Sequence, residues 1–324
     1  MKIGVVSNAL LQFEFEDGLD ALRTLGLERI EIACAGYHEN LKFGDPAALM
    51  ADASQRSRWQ EAIASRDLTV TALAIHGPAL SPNRDVAESY RKEFRRSCEL
   101  AEAIGVDRLT LLGGLPEGAP GDRTPHWVCN AWPPEEQDIL KWQWEERVIP
   151  YWREQASIAE AHGCRLCFEM HPNDVLHNPA ALLRLNREIG PVIGCNYDPS
   201  HLFWQGMDGI EAMRAVAPLI YHVHAKDTQI LPHVVRVNGL FDPKPFSELD
   251  QRAWDFRTVG YGHGESFWRD FVSVLRAIGY DDVVSIEHED QYMDPQEGLE
   301  KAVVLLKSVI LDRPAVSSWE LIEG

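Results

Sequence analysis

The sequence predicts an α/β fold: one closed (β/α)8 TIM barrel spanning residues 1–324 as a single domain. Three observations predict it. Eight short apolar runs recur along the chain, amphipathic segments separate them, and several of those segments stop at a glycine just before the next run. The alternative, an open doubly wound sheet, usually carries a Gly-rich turn after its first strand. Here that strand runs into "VVSNALLQFE", with no GxGxxG.

The eight strands are read in order. "KIGVVS" (2–7), "RIEIACAG" (29–36), "TVTALAIHG" (69–77) and "RLTLLGG" (108–114) form the first half. "RLCFEMH" (165–171), "VIGCNYD" (192–198), "IYHVHAKD" (220–227) and "VVSIEHED" (283–290) form the second. Helices follow from leucines at 19, 22, 25 and 27 and from apolar spacing over 89–105, 150–163, 265–279 and 297–311. Another over 178–190 opens with Asn178 as cap and Pro179 at the first helical position. Two stretches look irregular: 114–134, rich in Gly and Pro, and 228–262. Long loops in compact domains are usually functional, so both are expected to be lids.

Composition narrows the function. With 45% hydrophobic and 25% charged residues, the chain is ordinary for a globular protein. A net charge of −19 repels phosphate backbones and anionic lipid, so nucleic acid and membrane are not expected partners. No stretch approaches the roughly 18 apolar residues of a membrane span, and no leader peptide is visible. Four of the six cysteines (Cys34, Cys164, Cys167 and Cys195) sit in or beside strand-like runs. Cys164 and Cys167 have redox spacing, but residues three apart on a strand face opposite ways. Reduced thiols and a cytoplasmic location are therefore expected.

Catalysis in such barrels sits at the C-terminal ends of the strands, so the polar residues there matter most. They are His76, Glu169, His171, Asp198, His222, His224, Lys226, Asp227 and the run Glu287-His288-Glu289-Asp290, with His201 just beyond Asp198. Four consecutive strands offer Glu169, Asp198, His224 and Glu287 at similar height. Any one of these would ordinarily be a loop cap or an arginine partner. Together, three carboxylates in one low-dielectric space repel, and a divalent cation removes that problem. A mixed carboxylate–imidazole set suits Mn2+ first, with Mg2+ or Co2+ as alternatives. His222, deeper on its strand, reads as a satisfied core histidine. His171 and His76 read as substrate hydrogen-bonding groups, with an additional general base as the alternative. Lys226 either binds a substrate hydroxyl or pairs with Asp227, the pair being favoured. Trp127, Trp132, Phe203 and Trp204 are placed near the mouth, where aromatic faces suit sugar rings or a flat aglycone. Trp142, Trp144 and Trp152 read as core or interface.

The segments "CFEMHP", "CNYDPSHLFWQG", "YHVHAKD", "VGYGHGE" and "VVSIEHED" resemble the xylose-isomerase-like TIM-barrel sugar (phosphate) isomerases and epimerases, over roughly residues 2–312. The resemblance implies metal ligands at Glu169, Asp198, His224 and Glu287. It places a substrate or second-metal histidine at His201. It also implies that Glu169 and Glu287 double as proton-transfer groups. Ketose 3-epimerases carry an Arg shortly after the strand-seven His; here "KDTQILPH" has none before Arg236. The implied activity is metal-dependent isomerisation or epimerisation of a sugar or keto-sugar. The alternative is a lyase acting on a 3-oxo-sugar or 3-oxo-glycoside. No phosphate-binding basic cluster follows the last two strands, so an unphosphorylated substrate is expected. A homo-oligomer, or a complex with a small second subunit, is the expected assembly.

Overall fold

A computed structural model describes residues 1–37 and 41–314; the last part of the expected 1–324 domain, 315–324, lies outside the described residues. Eight parallel strands close into a barrel: β1 (Lys2–Val6), β2 (Arg29–Ala33), β3 (Thr69–Ala74), β4 (Arg108–Leu112), β5 (Arg165–Glu169), β6 (Ile193–Tyr197), β7 (Ile220–Ala225) and, last in the chain, Val283–Ile286. Two further strands, β8 (Asp227–Ile230) and β9 (Trp254–Arg257), stand apart as an antiparallel pair, so the closing barrel strand is β10. Every predicted barrel strand is present. All of them are buried on both faces, which is why they read as apolar runs rather than as alternating ones.

The expected helices occur at Phe15–Thr24, Arg84–Ile104, Ile149–Ala161, Pro179–Ile189, Glu265–Ala277 and Pro295–Val309. The Asn178 side chain accepts from the Ala181 amide at 3.0 Å, as its cap position requires. Gly105, with φ 76°, closes the helix over Arg84–Ile104 in a left-handed turn. Trp144 and Trp152 are buried in the core. All six cysteines are free thiols, and Cys164 and Cys167 are buried.

The stretch 228–262 is not the irregular loop expected from sequence. It begins and ends in the β8–β9 ladder, in which Asp227 pairs with Arg257 and Ile230 with Trp254, and it holds a helix over Pro232–Asn238. One carboxylate fastens its return. Asp227, fully buried, accepts at Oδ2 from the amides of Gly260 (3.0 Å), Gly262 (3.0 Å) and His263 (2.9 Å). At Oδ1 it meets the Thr228 amide (2.9 Å) and His263 Nδ1 (2.8 Å). A side chain at Gly262 would run into the Thr228 carbonyl, so glycine is required there. Asp227→Ala strands these donors and is expected to cost about 2–4 kcal/mol. A lower urea midpoint at unchanged slope would register the loss; a change below about 0.5 kcal/mol, the range of ordinary surface substitutions, would deny Asp227 this anchoring role.

Candidate metal centre

The C-terminal ends of β5, β6, β7 and β10 bring Glu169, Asp198, His224 and Glu287 together. One ligand atom from each lies within 4.8 Å of the others, and all four residues are buried. Parallel register sets this convergence: Glu169 lies beside Asn196 across β5–β6, and Ser285 beside His224 across β10–β7. Glu287 is the second residue on from Ser285, so the pleat returns it to the same face.

His224 is held from both sides. Its Nε2 lies 3.0 Å from Glu31 Oε2. Its Nδ1 lies 3.3 Å from Glu169 Oε2, 3.3 Å from Glu287 Oε2 and 3.1 Å from Asn196 Nδ2. An amide that donates to Nδ1 and a carboxylate that accepts from Nε2–H select one tautomer, with the Nδ1 lone pair facing the cluster. Glu31 is in turn fixed by Thr110 Oγ1, which donates to Oε1 at 2.5 Å, and lies 3.4 Å from His222 Nε2. His222 closes the network through Nδ1 to Asn196 Oδ1 (3.0 Å), and Asn196 Nδ2 donates to Glu169 Oε2 (3.0 Å). His222 is buried as expected of a core histidine, but only Nδ1 is hydrogen-bonded; Nε2 has no hydrogen-bond partner among the described residues.

The remaining predicted residues surround Glu169 and Glu287. His201 Nε2 is 2.9 Å from Glu169 Oε1 and 3.4 Å from Asp198 Oδ2, and His76 Nε2 is 3.4 Å from Glu169 Oε2. The His171 ring packs on His201 at 4.1 Å between centroids, with Nδ1 2.5 Å from the Pro172 carbonyl. Lys226 does not pair with Asp227. Its Nζ reaches Glu289 Oε2 (2.6 Å) and Glu287 Oε2 (3.3 Å), because Asp227 is engaged by the amides of residues 260–263. Trp204 and Trp127 line the cavity in front of the cluster. Trp132 does not; it is 74% exposed, carried outward by its loop.

Burial would raise the carboxyls, but the neighbouring side chains decide the outcome. Contacts from His201, His224 and His76 hold Glu169 well below the usual carboxylate range, and Lys226 with His224 does the same for Glu287. For Asp198 burial outweighs the relief that His201 and Lys226 provide. Burial, with the charges of Glu169 and Glu287 behind it, pushes it up to about 6. Burial and the adjacent His201 push His171 down to about 3, so it is neutral at physiological pH. Burial opposes charge on Glu31, yet His224 and His222 bring it down to about 2. These residues fit a divalent cation: three carboxylates and an imidazole lone pair converge, and Asp198 Oδ2 is buried without a hydrogen bond.

Three residues of the site escaped sequence reasoning. Glu31 carried a signal, a single carboxylate inside the apolar run "RIEIA"; Asn196 shares a face with Asp198 in "NYD". Glu289, the partner of Lys226, stood in view but without a role.

Comparison with known proteins agrees with this architecture. The uncharacterized protein YfiH of Bacillus subtilis (strain 168) is 36% identical over 317 residues, covering 96% of this chain and 99% of YfiH. Solved structures share the fold. The probable 3-DHS dehydratase AsbF of Bacillus anthracis superposes with a TM-score of 0.66 at 17% identity, covering 95% of this chain and 99% of AsbF. The 3-keto-D-glucoside 4-epimerase YcjR of E. coli gives 0.62 at 16% identity, covering 95% and 99%. The family described as Xylose isomerase-like TIM barrel matches residues 19–309, and this chain belongs to it.

Proposed function

We propose that the protein is a divalent-metal-dependent isomerase or epimerase of a sugar or keto-sugar, working by proton transfer next to a carbonyl. The observation that carries this reading is the convergence of Glu169, Asp198, His224 and Glu287 within 4.8 Å at the C-terminal mouth of the barrel. These four hold the ion; the hard oxygen donors favour Mn2+, with Mg2+ or Co2+ as substitutes. When bound, it supplies Lewis-acid stabilisation of negative charge developing beside the carbonyl.

The chain's own residues handle the proton. Glu169 and Glu287, both held well below the usual carboxylate range, are in the ionised form that a base requires. One removes the proton and the other returns it. His201, His76 and Lys226 orient substrate hydroxyls, and His171, neutral, does so as a hydrogen-bonding group. A leaving group β to the carbanion would turn the same step into elimination; the fold likeness to a dehydratase favours keeping that second reading. The test is product analysis in D2O with candidate keto-sugars. Deuterium gain without loss of a fragment supports epimerisation, and fragment loss supports elimination. Absence of any metal-dependent exchange would refute both.

Glu31 belongs to this reading as the carboxylate behind a metal-binding histidine. Such partners tune affinity by roughly 10–100-fold. Glu31→Gln is therefore expected to weaken Mn2+ binding by about that factor, measured by metal titration of the purified protein. Unchanged affinity would leave Glu31 a mere packing residue.

A further inference from the structure

A second cavity, of about 970 Å3, is walled by the segments that follow β3 and β4 and shares no lining residue with the cavity in front of the cluster. Four guanidiniums line it. Arg84 and Arg91, seven residues apart, stand on one face of the helix Arg84–Ile104. Arg123 comes from the 114–134 loop and Arg147 from the helical segment Gln143–Val148. The loop wall is pinned. Gln143 Nε2 donates to the carbonyls of Glu117 (3.0 Å) and His126 (2.8 Å), and the His126 amide donates to the Pro116 carbonyl (2.9 Å).

Four carboxylates share the cavity, so its net charge does not make it a site; the pairing does. Glu117 Oε1 lies 3.3 Å from Arg147 Nε, and Glu88 Oε1 takes Lys92 Nζ at 2.9 Å. Asp122 Oδ2 accepts from the Ala119 amide at 3.1 Å, and Asp85 sits in the first turn of its helix, where the dipole favours negative charge. Arg91 lies over the Tyr151 ring at 5.3 Å. Arg84 and Arg123, both exposed, make no side-chain hydrogen bond or ion pair among the described residues. Each is a planar fork that matches a carboxylate or phosphate through two parallel hydrogen bonds. An inorganic anion would leave most of the space unfilled, whereas cavities of roughly 300–1,000 Å3 hold larger organic ligands. No aromatic side chain lines the walls, and Asp85 and Glu88 offer acceptors, so the body that fits is rich in hydroxyls rather than flat and apolar.

We propose that this cavity is a binding site, separate from the metal centre, for a polyhydroxylated organic anion. Its charged end lies on Arg84 and Arg123, and its hydroxyls reach Asp85 and Glu88. The shared chemistry is an oxyanion on a polyol, supplied either by a sugar phosphate or by a sugar acid. The site stands independently of the proton-transfer function proposed above.

The test is calorimetric titration of the Mn2+-loaded protein at low ionic strength with glucose 6-phosphate, gluconate and glucose. At least one of the two anions is expected to bind about tenfold or more tighter than glucose, and to weaken as salt is raised. Whichever anion binds tighter identifies the charged group. The double variant Arg84→Ala/Arg123→Ala, at exposed positions, is expected to shrink that advantage to below about threefold, with wild-type Mn2+ content and melting temperature. Anions that bind no tighter than glucose would overturn the proposal. So would an advantage that survives the double variant, because the anion would then sit elsewhere, on the metal ion for instance.

Discussion

Glu169→Gln is expected to abolish turnover while leaving the protein folded. Glu169 sits at the end of β5 with four polar neighbours: His201, His76, His224 and Asn196. Glutamine keeps the volume and one acceptor oxygen, and the histidines can change tautomer to meet the new amide. What it removes is the basic oxygen. Loss of a positioned proton-transfer group typically costs about 10²–10⁴-fold, and here the same substitution removes a charged metal donor, so at least about 10³-fold is expected. Exchange of the substrate C–H in D2O, followed by NMR, reads the chemistry; circular dichroism and melting read the fold. A variant that exchanges at near-normal rate would rule Glu169 out as acid or base.

The second large effect concerns His224. His224→Ala deletes the one nitrogen donor and leaves Glu31 buried beside an empty space, with Thr110 and His222 as its partners. The wild type is expected to hold one divalent ion per chain, and the variant to lose it, as measured by elemental analysis after dialysis. Chelation of the wild type should lower its melting temperature, because Glu169, Asp198 and Glu287 then face one another across a low-dielectric space. At a metal concentration a hundred times the dissociation constant, binding contributes about 2.7 kcal/mol, which corresponds to a few degrees in a chain of this size. Unchanged stoichiometry in His224→Ala would remove it from the ligand set. Two ions per wild-type chain would point instead to a second occupied group at Glu31, His222 and His224.

The barrel was legible because parallel strands buried on both faces leave unbroken apolar runs, and glycine stops mark the helix ends. The four converging residues were legible because side-chain alternation and the C-terminal rule together say which residues meet. Glu31 was not, since its partner His224 lies 193 positions away and nothing local announces the pair. Lys226 was misassigned for a related reason: a nearest-neighbour pairing with Asp227 is natural in sequence, whereas Asp227 serves amides some 33–36 residues on. The β8–β9 pair was read as irregular because "DTQI" and "WDFR" are too short and too polar to register as strands.

The β8–β9 ladder has an engineering consequence. Its two ends enter and leave the barrel side by side, Asp227 against Arg257, so the residues between them form a cassette that departs and returns at one place, with Trp254 stacked on Trp204 and the Asp250 amide donating to the Tyr292 hydroxyl as further contacts. Changing the length of a segment whose ends are already joined adds little closure entropy. Swapping 231–253 for another insert should therefore change which molecules the proposed site accepts while the Glu169–Asp198–His224–Glu287 cluster stays as built.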